Sequence, residues 1–141
     1  MSQKVVLSSL RADLDREKLG DWIAYPAWKG VRFNVSALTL PSYETARDLM
    51  FKRLAEQFKD DPVPKEVISI ELGALYAEHI LHGWEGFDEE YTPELARERL
   101  VDPSYRMIVS AVEWCAAKIS EVSVKFTEAE LGNSPSPSET D

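Results

Sequence analysis

Cysteine occurs once and histidine twice in this 141-residue chain, and these scarcities exclude chemistry before any pattern is read. The single thiol, Cys115, closes no intramolecular disulfide and suits a reducing compartment. His79 and His82, with no third histidine and no second cysteine, leave a zinc site short of ligands. No stretch approaches the ~20 consecutive apolar residues of a membrane span, and Met1 to Leu7 is too short for a signal-peptide core, so a cytoplasmic protein without a membrane partner is expected. The six glycines form no phosphate-binding loop, and no Gly-x-Ser-x-Gly is present. Cationic charge is scarce as well: 16 Lys and Arg stand against 25 Asp and Glu, for a net charge of −9. Binding nucleic acid through phosphates needs a concentrated basic surface, so DNA and RNA are not expected partners.

What is present is enough apolar material for a core, with 44% hydrophobic residues and four tryptophans. The length fits a single domain. Charge is unevenly placed: residues 1–40 sum to +2, 41–84 to −3 and 85–141 to −8. The acidity therefore belongs to the C-terminal part.

Ser9 to Lys18 mixes charges with sparse leucines, which predicts a short, solvated helix stopped by Gly20. Asp21 to Tyr25 and Val31 to Val35 alternate apolar and polar residues with the period of a half-buried strand, and Pro26-Ala27-Trp28-Lys29-Gly30 supplies a turn. A β-hairpin over roughly residues 21–38 follows. Pro41-Ser42 predicts a helix to about Lys59, capped by Ser42, with Tyr43, Ala46, Met50, Leu54 and Phe58 on one face. Pro64 is placed to open a second helix over about 65–82, apolar over a wide arc and stopped by Gly83. Such an arc suits a central helix, and it is also compatible with self-association.

Gly83 to Tyr91 reads as a loop with three large aromatics among acids, followed by a short helix that Thr92 caps and Pro93 opens, to about Val101. After Asp102-Pro103 a long helix is expected, with Tyr105, Ile108, Val109, Val112, Cys115, Ala116, Ile119, Val122 and Phe126 on its apolar stripe and its end near Leu131. The fold class is thus mainly α: about four helices with a small N-terminal hairpin, one domain over 1–131 and a disordered polar tail over 132–141.

Little of this pattern carries catalytic chemistry. His79 falls on the core face of the second helix and His82 near its C-terminus, where an imidazolium interacts favourably with the helix dipole. Cys115 lies in an apolar stripe, without the cationic setting that activates a thiolate. Glu85, Asp88, Glu89 and Glu90 lack the spacing of a calcium loop. No catalytic residue, metal ligand or cofactor site is expected. The unusual feature is aromatic residues in turns: Trp22, Tyr25 and Trp28 near the hairpin, and Trp84, Phe87 and Tyr91 in the acidic loop. They either pin irregular segments to the helices or form a binding surface, with Trp84, Phe87, Tyr91 and Trp28 as the candidate partner-binding residues.

The order of Trp22, Gly30 with Val31-Arg32-Phe33-Asn34-Val35, Pro41 with Tyr43, Gly83-Trp84-Glu85-Gly86, Tyr91-Thr92-Pro93-Glu94 and Leu100-Val101-Asp102-Pro103 resembles the tail assembly chaperones of long-tailed bacteriophages and prophages, over roughly residues 10–128. The resemblance implies a non-enzymatic, mainly helical protein of the infected bacterium's cytoplasm, absent from the finished virion. It implies a tape measure protein as client, kept soluble until the tail tube polymerises around it. It also implies a longer, frameshifted form whose extension recruits the tail tube protein. The alternative is another acidic interaction module, an adaptor or an antitoxin-like inhibitor that occupies a basic partner.

Overall fold

A computed structural model of the chain describes residues 3–128; the expected tail at 132–141 lies outside the described residues. The chain forms two compact units, one of Asp13–Ser120 and one combining the described parts of Met1–Ala12 and Glu121–Asp141.

The smaller unit joins the two ends of the described chain. Lys4 and Thr127 exchange hydrogen bonds, from Lys4 N to Thr127 Oγ1 at 3.0 Å and from Thr127 N to Lys4 O at 2.7 Å. Val6 N donates to Lys125 O at 2.7 Å, and Val5 faces Phe126 in an antiparallel bridge. A 3-10 turn follows at Leu7–Leu10. The expected helical run to Leu131 is thereby corrected. Val122, Val124 and Phe126 alternate with polar residues, a period of two, and that stretch pairs with an extended N-terminal segment instead of continuing a helix. Residues 129–131 lie outside the description.

In the larger unit, helix α1 (Leu14–Leu19) is capped by Asp13, whose side chain accepts from Arg16 N. It ends at Gly20, whose φ of 90° suits glycine. Strands β1 (Asp21–Ala24), β2 (Arg32–Val35) and β3 (Leu81–Glu85) form an antiparallel sheet in the order β1-β2-β3. The hairpin is as the alternation implies, with Trp22 opposite Asn34 and Ile23 opposite Phe33. Helix α2 (Pro41–Phe58) buries Tyr43, Met50 and Leu54 from the expected face. Its cap position is Leu40, without a side-chain bond, so Ser42 is not the cap. Pro64 likewise takes the cap position of α3 (Lys65–Leu75) and not its first turn. Helix α4 (Pro93–Leu100) has Thr92 as cap, with Oγ1 accepting from Leu95 N at 3.0 Å. Asp102 caps the 3-10 turn Pro103–Tyr105 that leads into α5 (Arg106–Ile119).

The described residues therefore hold five α-helices and three strands, against about four helices and a lone hairpin. The largest departure is after α3. Its helix widens into a π turn at Tyr76–Ile80, with Leu81 N donating to Tyr76 O, and the chain then leaves as β3. Residues 81–82 are thus strand, not helix, and 83–85 strand, not loop. Tertiary pairing overrides the local helical pattern: β3 satisfies the open edge of β2, with Phe33 opposite Trp84 and a bulge where Asn34 meets Gly83 and Val35 meets Leu81. The Trp22 ring lies beside Gly83, where a Cβ would make an ordinary van der Waals contact at 3.4 Å.

Helix α5 packs on this sheet, burying Val109, Ala111, Val112, Cys115, Ala116 and Ile119. Phe33, Val35, Ile80 and Val112 are fully buried. Each such side chain contributes roughly 1.5–3 kcal/mol relative to exposure. Tyr43 and Tyr76, rings 5.6 Å apart, join α2 to the π turn within the same core.

Candidate functional site

Two glycines bring the hairpin turn against the loop that follows β3. Gly30 and Gly86 have φ of 84° and 98°, and a Cβ on Gly86 would lie 2.3 Å from Gly30 O. The backbones touch because Gly86 has no side chain, while a Cβ on Gly30 would meet only open space and glycine there serves the positive φ. This contact sets Trp28, at the turn, 6.2 Å from Phe87 in the loop.

The loop is then tied back to the core. Trp84 Nε1 donates to Glu89 O at 2.8 Å, so the indole closes the loop around itself. Phe87 meets Trp84 edge-on at 5.4 Å, and Tyr91 meets Trp84 at 5.3 Å. At the other end, Trp28 contacts Tyr25 at 4.8 Å, and Tyr25 contacts Trp114 of α5 at 5.6 Å. Six rings from three distant stretches of chain form a continuous edge-to-face series. Such pairs add about 0.5–1.5 kcal/mol each beyond the area they bury.

All four candidate residues are thereby brought together, in different settings. Trp84 is 7% exposed and belongs to the core. Trp28, Phe87 and Tyr91 are half-buried. Burial, with Glu94 nearby, pushes the Tyr91 phenol above its ordinary pKa. Pinning and surface formation are combined: Trp84 anchors, while Trp28 and Phe87 wall a cleft.

That cleft has a volume of about 320 Å³ and lies between the loop, α4 and the start of α5. Trp28, Trp84, Phe87, Leu95, Met107 and Ile108 supply its apolar lining, and Asp88, Glu89, Arg99, Ser104 and Tyr105 its polar rim. Met107 is 61% exposed and Tyr105 40%. Tyr105 is therefore not on a core stripe as expected, because α5 begins only at Arg106 and Tyr105 sits in the preceding 3-10 turn. Leu95, Arg99, Met107, Ile108 and Trp114 have no local signal marking them for this surface. Met107 and Trp114 do fall off the expected apolar stripe of α5, which is the one trace of exposure the sequence carries.

The rim charges are unequal in their partners. Arg99 Nη2 binds Glu89 Oε1 at 2.9 Å and Nη1 lies 3.4 Å from Glu98 Oε1, with the guanidinium 5.2 Å above the Tyr105 ring. Arg32 Nε donates to Glu85 Oε1 at 2.7 Å, and this bond holds the Glu85 carboxyl below its usual pKa. Among the described residues no ion pair engages Asp88 or Glu90.

The two histidines take unrelated positions. His79 Nε2 lies 3.7 Å from Glu78 Oε2 in the π turn. His82 is on β3, not at a helix C-terminus, so the dipole contact expected for it does not form. Its Nε2 lies 2.7 Å from Oγ of Ser36, a fully buried residue. Because that hydroxyl donates to Lys18 O at 3.0 Å, it accepts from His82 Nε2–H. Partial burial lowers the His82 pKa. Among the described residues no group of three or more His, Cys, Asp or Glu is placed to hold a metal ion, and no helix is long and apolar enough to cross a membrane.

A family model described as YdaY prophage protein matches residues 38–133, more than half of the chain. The match takes in the loop, α4 and α5 walls of the cleft, while the hairpin wall precedes it. No curated protein and no solved structure matches the chain.

Proposed function

We propose, on the premise that the chain belongs to the YdaY prophage protein family, that it is a tail assembly chaperone. Its client is the tape measure protein of the same phage, held soluble in the host cytoplasm until the tail tube forms. The role is non-enzymatic and needs no cofactor. A frameshifted longer form would bring in the tail tube protein. The observation that carries this reading is the aromatic cleft with its acidic rim on a phage-derived chain. A tape measure protein presents long amphipathic stretches, and an apolar cleft gives affinity for them while the net charge of −9 keeps the complex soluble. The carboxylates of Asp88 on the rim and Glu90 beside it, in no ion pair among the described residues, also suit an adaptor or inhibitor of a basic partner, and a small toxin gene beside this one would favour that reading.

The test is co-expression with the tape measure protein of the same prophage. Soluble client should rise severalfold and co-purify with the chain. Unchanged client solubility with no co-purification overturns the proposal.

A further inference from the structure

The cleft is small, polarised in charge and built of side chains, and these three properties select its occupant. Ligand pockets run from roughly 300 to 1,000 Å³. A volume of about 320 Å³ lies at the lower end of that range and has room for one or two large side chains. Apart from Trp84, the lining comes from loops and helices. A helix brings its own backbone N–H and C=O groups already satisfied and needs only side-chain contacts from this lining.

Charge narrows the choice further. Residues 85–94 contain five acidic residues and no Lys or Arg. Glu85 and Glu89 are held by Arg32 and Arg99, which leaves Asp88 and Glu90 in the loop and Glu94 at the start of α4 outside any ion pair among the described residues. Arg99 is already occupied by Glu89 and Glu98 and stacked on Tyr105. An acidic partner must break an existing ion pair to gain one. A basic partner meets carboxylates that have none.

We infer that the cleft takes a basic amphipathic helix, one large apolar side chain entering between Phe87 and Met107 while Lys or Arg on the adjoining turn reaches Asp88 and Glu90. The thioether of Met107, exposed and flexible, adapts to either a Leu or a Phe anchor. The inference rests on the chaperone reading for the identity of the client and adds which of the client's segments are held.

Three synthetic helical peptides decide it by calorimetry on the whole chain: one with a Leu and Phe face flanked by Lys and Arg, one with those cations replaced by Glu, and one with the apolar anchors replaced by Ser. The basic apolar peptide should bind at least about tenfold more tightly than either of the others; its margin over the acidic peptide shrinks as salt rises, and its margin over the Ser peptide does not. The exposed pair of changes Asp88→Asn with Glu90→Gln should remove most of the charge preference. Equal binding of the acidic peptide, or no effect of the double variant, overturns the inference. A dimer in sedimentation that Met107→Glu dissociates and the peptide competes with also overturns it, because the occupant is then a second copy. Client rescue in co-expression without peptide preference overturns the inference and leaves the chaperone reading standing. Peptide preference without client rescue supports the inference and overturns that reading.

Discussion

The α-carbon of Gly73 in α3 faces the backbone carbonyl of Leu100 at the end of α4, so closely that a Cβ on Gly73 would lie 1.9 Å from that oxygen. Helix α3 thus crosses the end of α4 at backbone contact, and the crossing fixes where α4, one wall of the cleft, stands. Gly73→Ala should destabilise the protein by about 1–3 kcal/mol or more, even though alanine favours a helix by about 1 kcal/mol. Denaturant unfolding measures it. A more stable variant would mean that the two helices are free to separate.

Trp84 and Met107 line the same cleft with opposite burdens. Trp84 is core and closes the loop through Glu89 O, so Trp84→Ala should cost about 3–5 kcal/mol. Met107 is mostly exposed, and Met107→Ala should change stability by no more than about 0.5 kcal/mol. Thermal melts of the two variants give the comparison. Equal losses would contradict the division between anchor and surface.

The His82 bond to Ser36 gives a defined pH dependence. Burial lowers the folded pKa of this imidazole, so above about pH 6.5 it is neutral in both states. As pH falls below that, the unfolded chain takes up a proton that the folded one resists, and stability drops until the folded imidazole titrates. Melting temperature should therefore fall between about pH 7.5 and 5.5, and His82→Gln, which keeps an N–H for Ser36, should flatten the fall. An identical slope in the variant would assign the effect elsewhere.

Cys115 is fully buried, its Sγ 3.8 Å from Ile23 O, and burial pushes its pKa up to about 11. Protonated and covered, it should react with a disulfide reagent at mildly alkaline pH only as fast as the fold opens, and at once in denaturant. Rapid labelling of the native protein would contradict the packing of α5 on β1.

Where a feature depends on neighbours within one or two turns, it was legible. The alternation of Val31 to Val35 yields a strand, and Thr92 before Pro93 yields a capped helix, because pleat and cap are satisfied within a few residues. The apolar face of α2 follows from the same short-range periodicity. Leu81 to Glu85 was not legible. Leu81 and His82 continue the helical pattern of α3 and Gly83 to Glu85 read as loop, and only the open edge of β2, some fifty residues earlier, makes the segment a strand. Val122 to Phe126 departs from helix for the same reason, pairing with residues near the N-terminus. The candidate site divides along the same line: aromatic turns mark Trp28, Trp84, Phe87 and Tyr91, but nothing near Arg99 or Met107 says that they stand opposite.

The sequence by itself determined the scarcity of cysteine and histidine, the acidity after residue 84, the helical majority and the aromatic segments, since composition and short periodicity are local quantities. Tertiary structure decided which aromatics are anchors and which are surface, and which carboxylates are paired. Those properties arise from backbone contacts such as Gly86 on Gly30 and Gly73 on Leu100, between residues far apart in the chain, and no local pattern encodes what a glycine will touch.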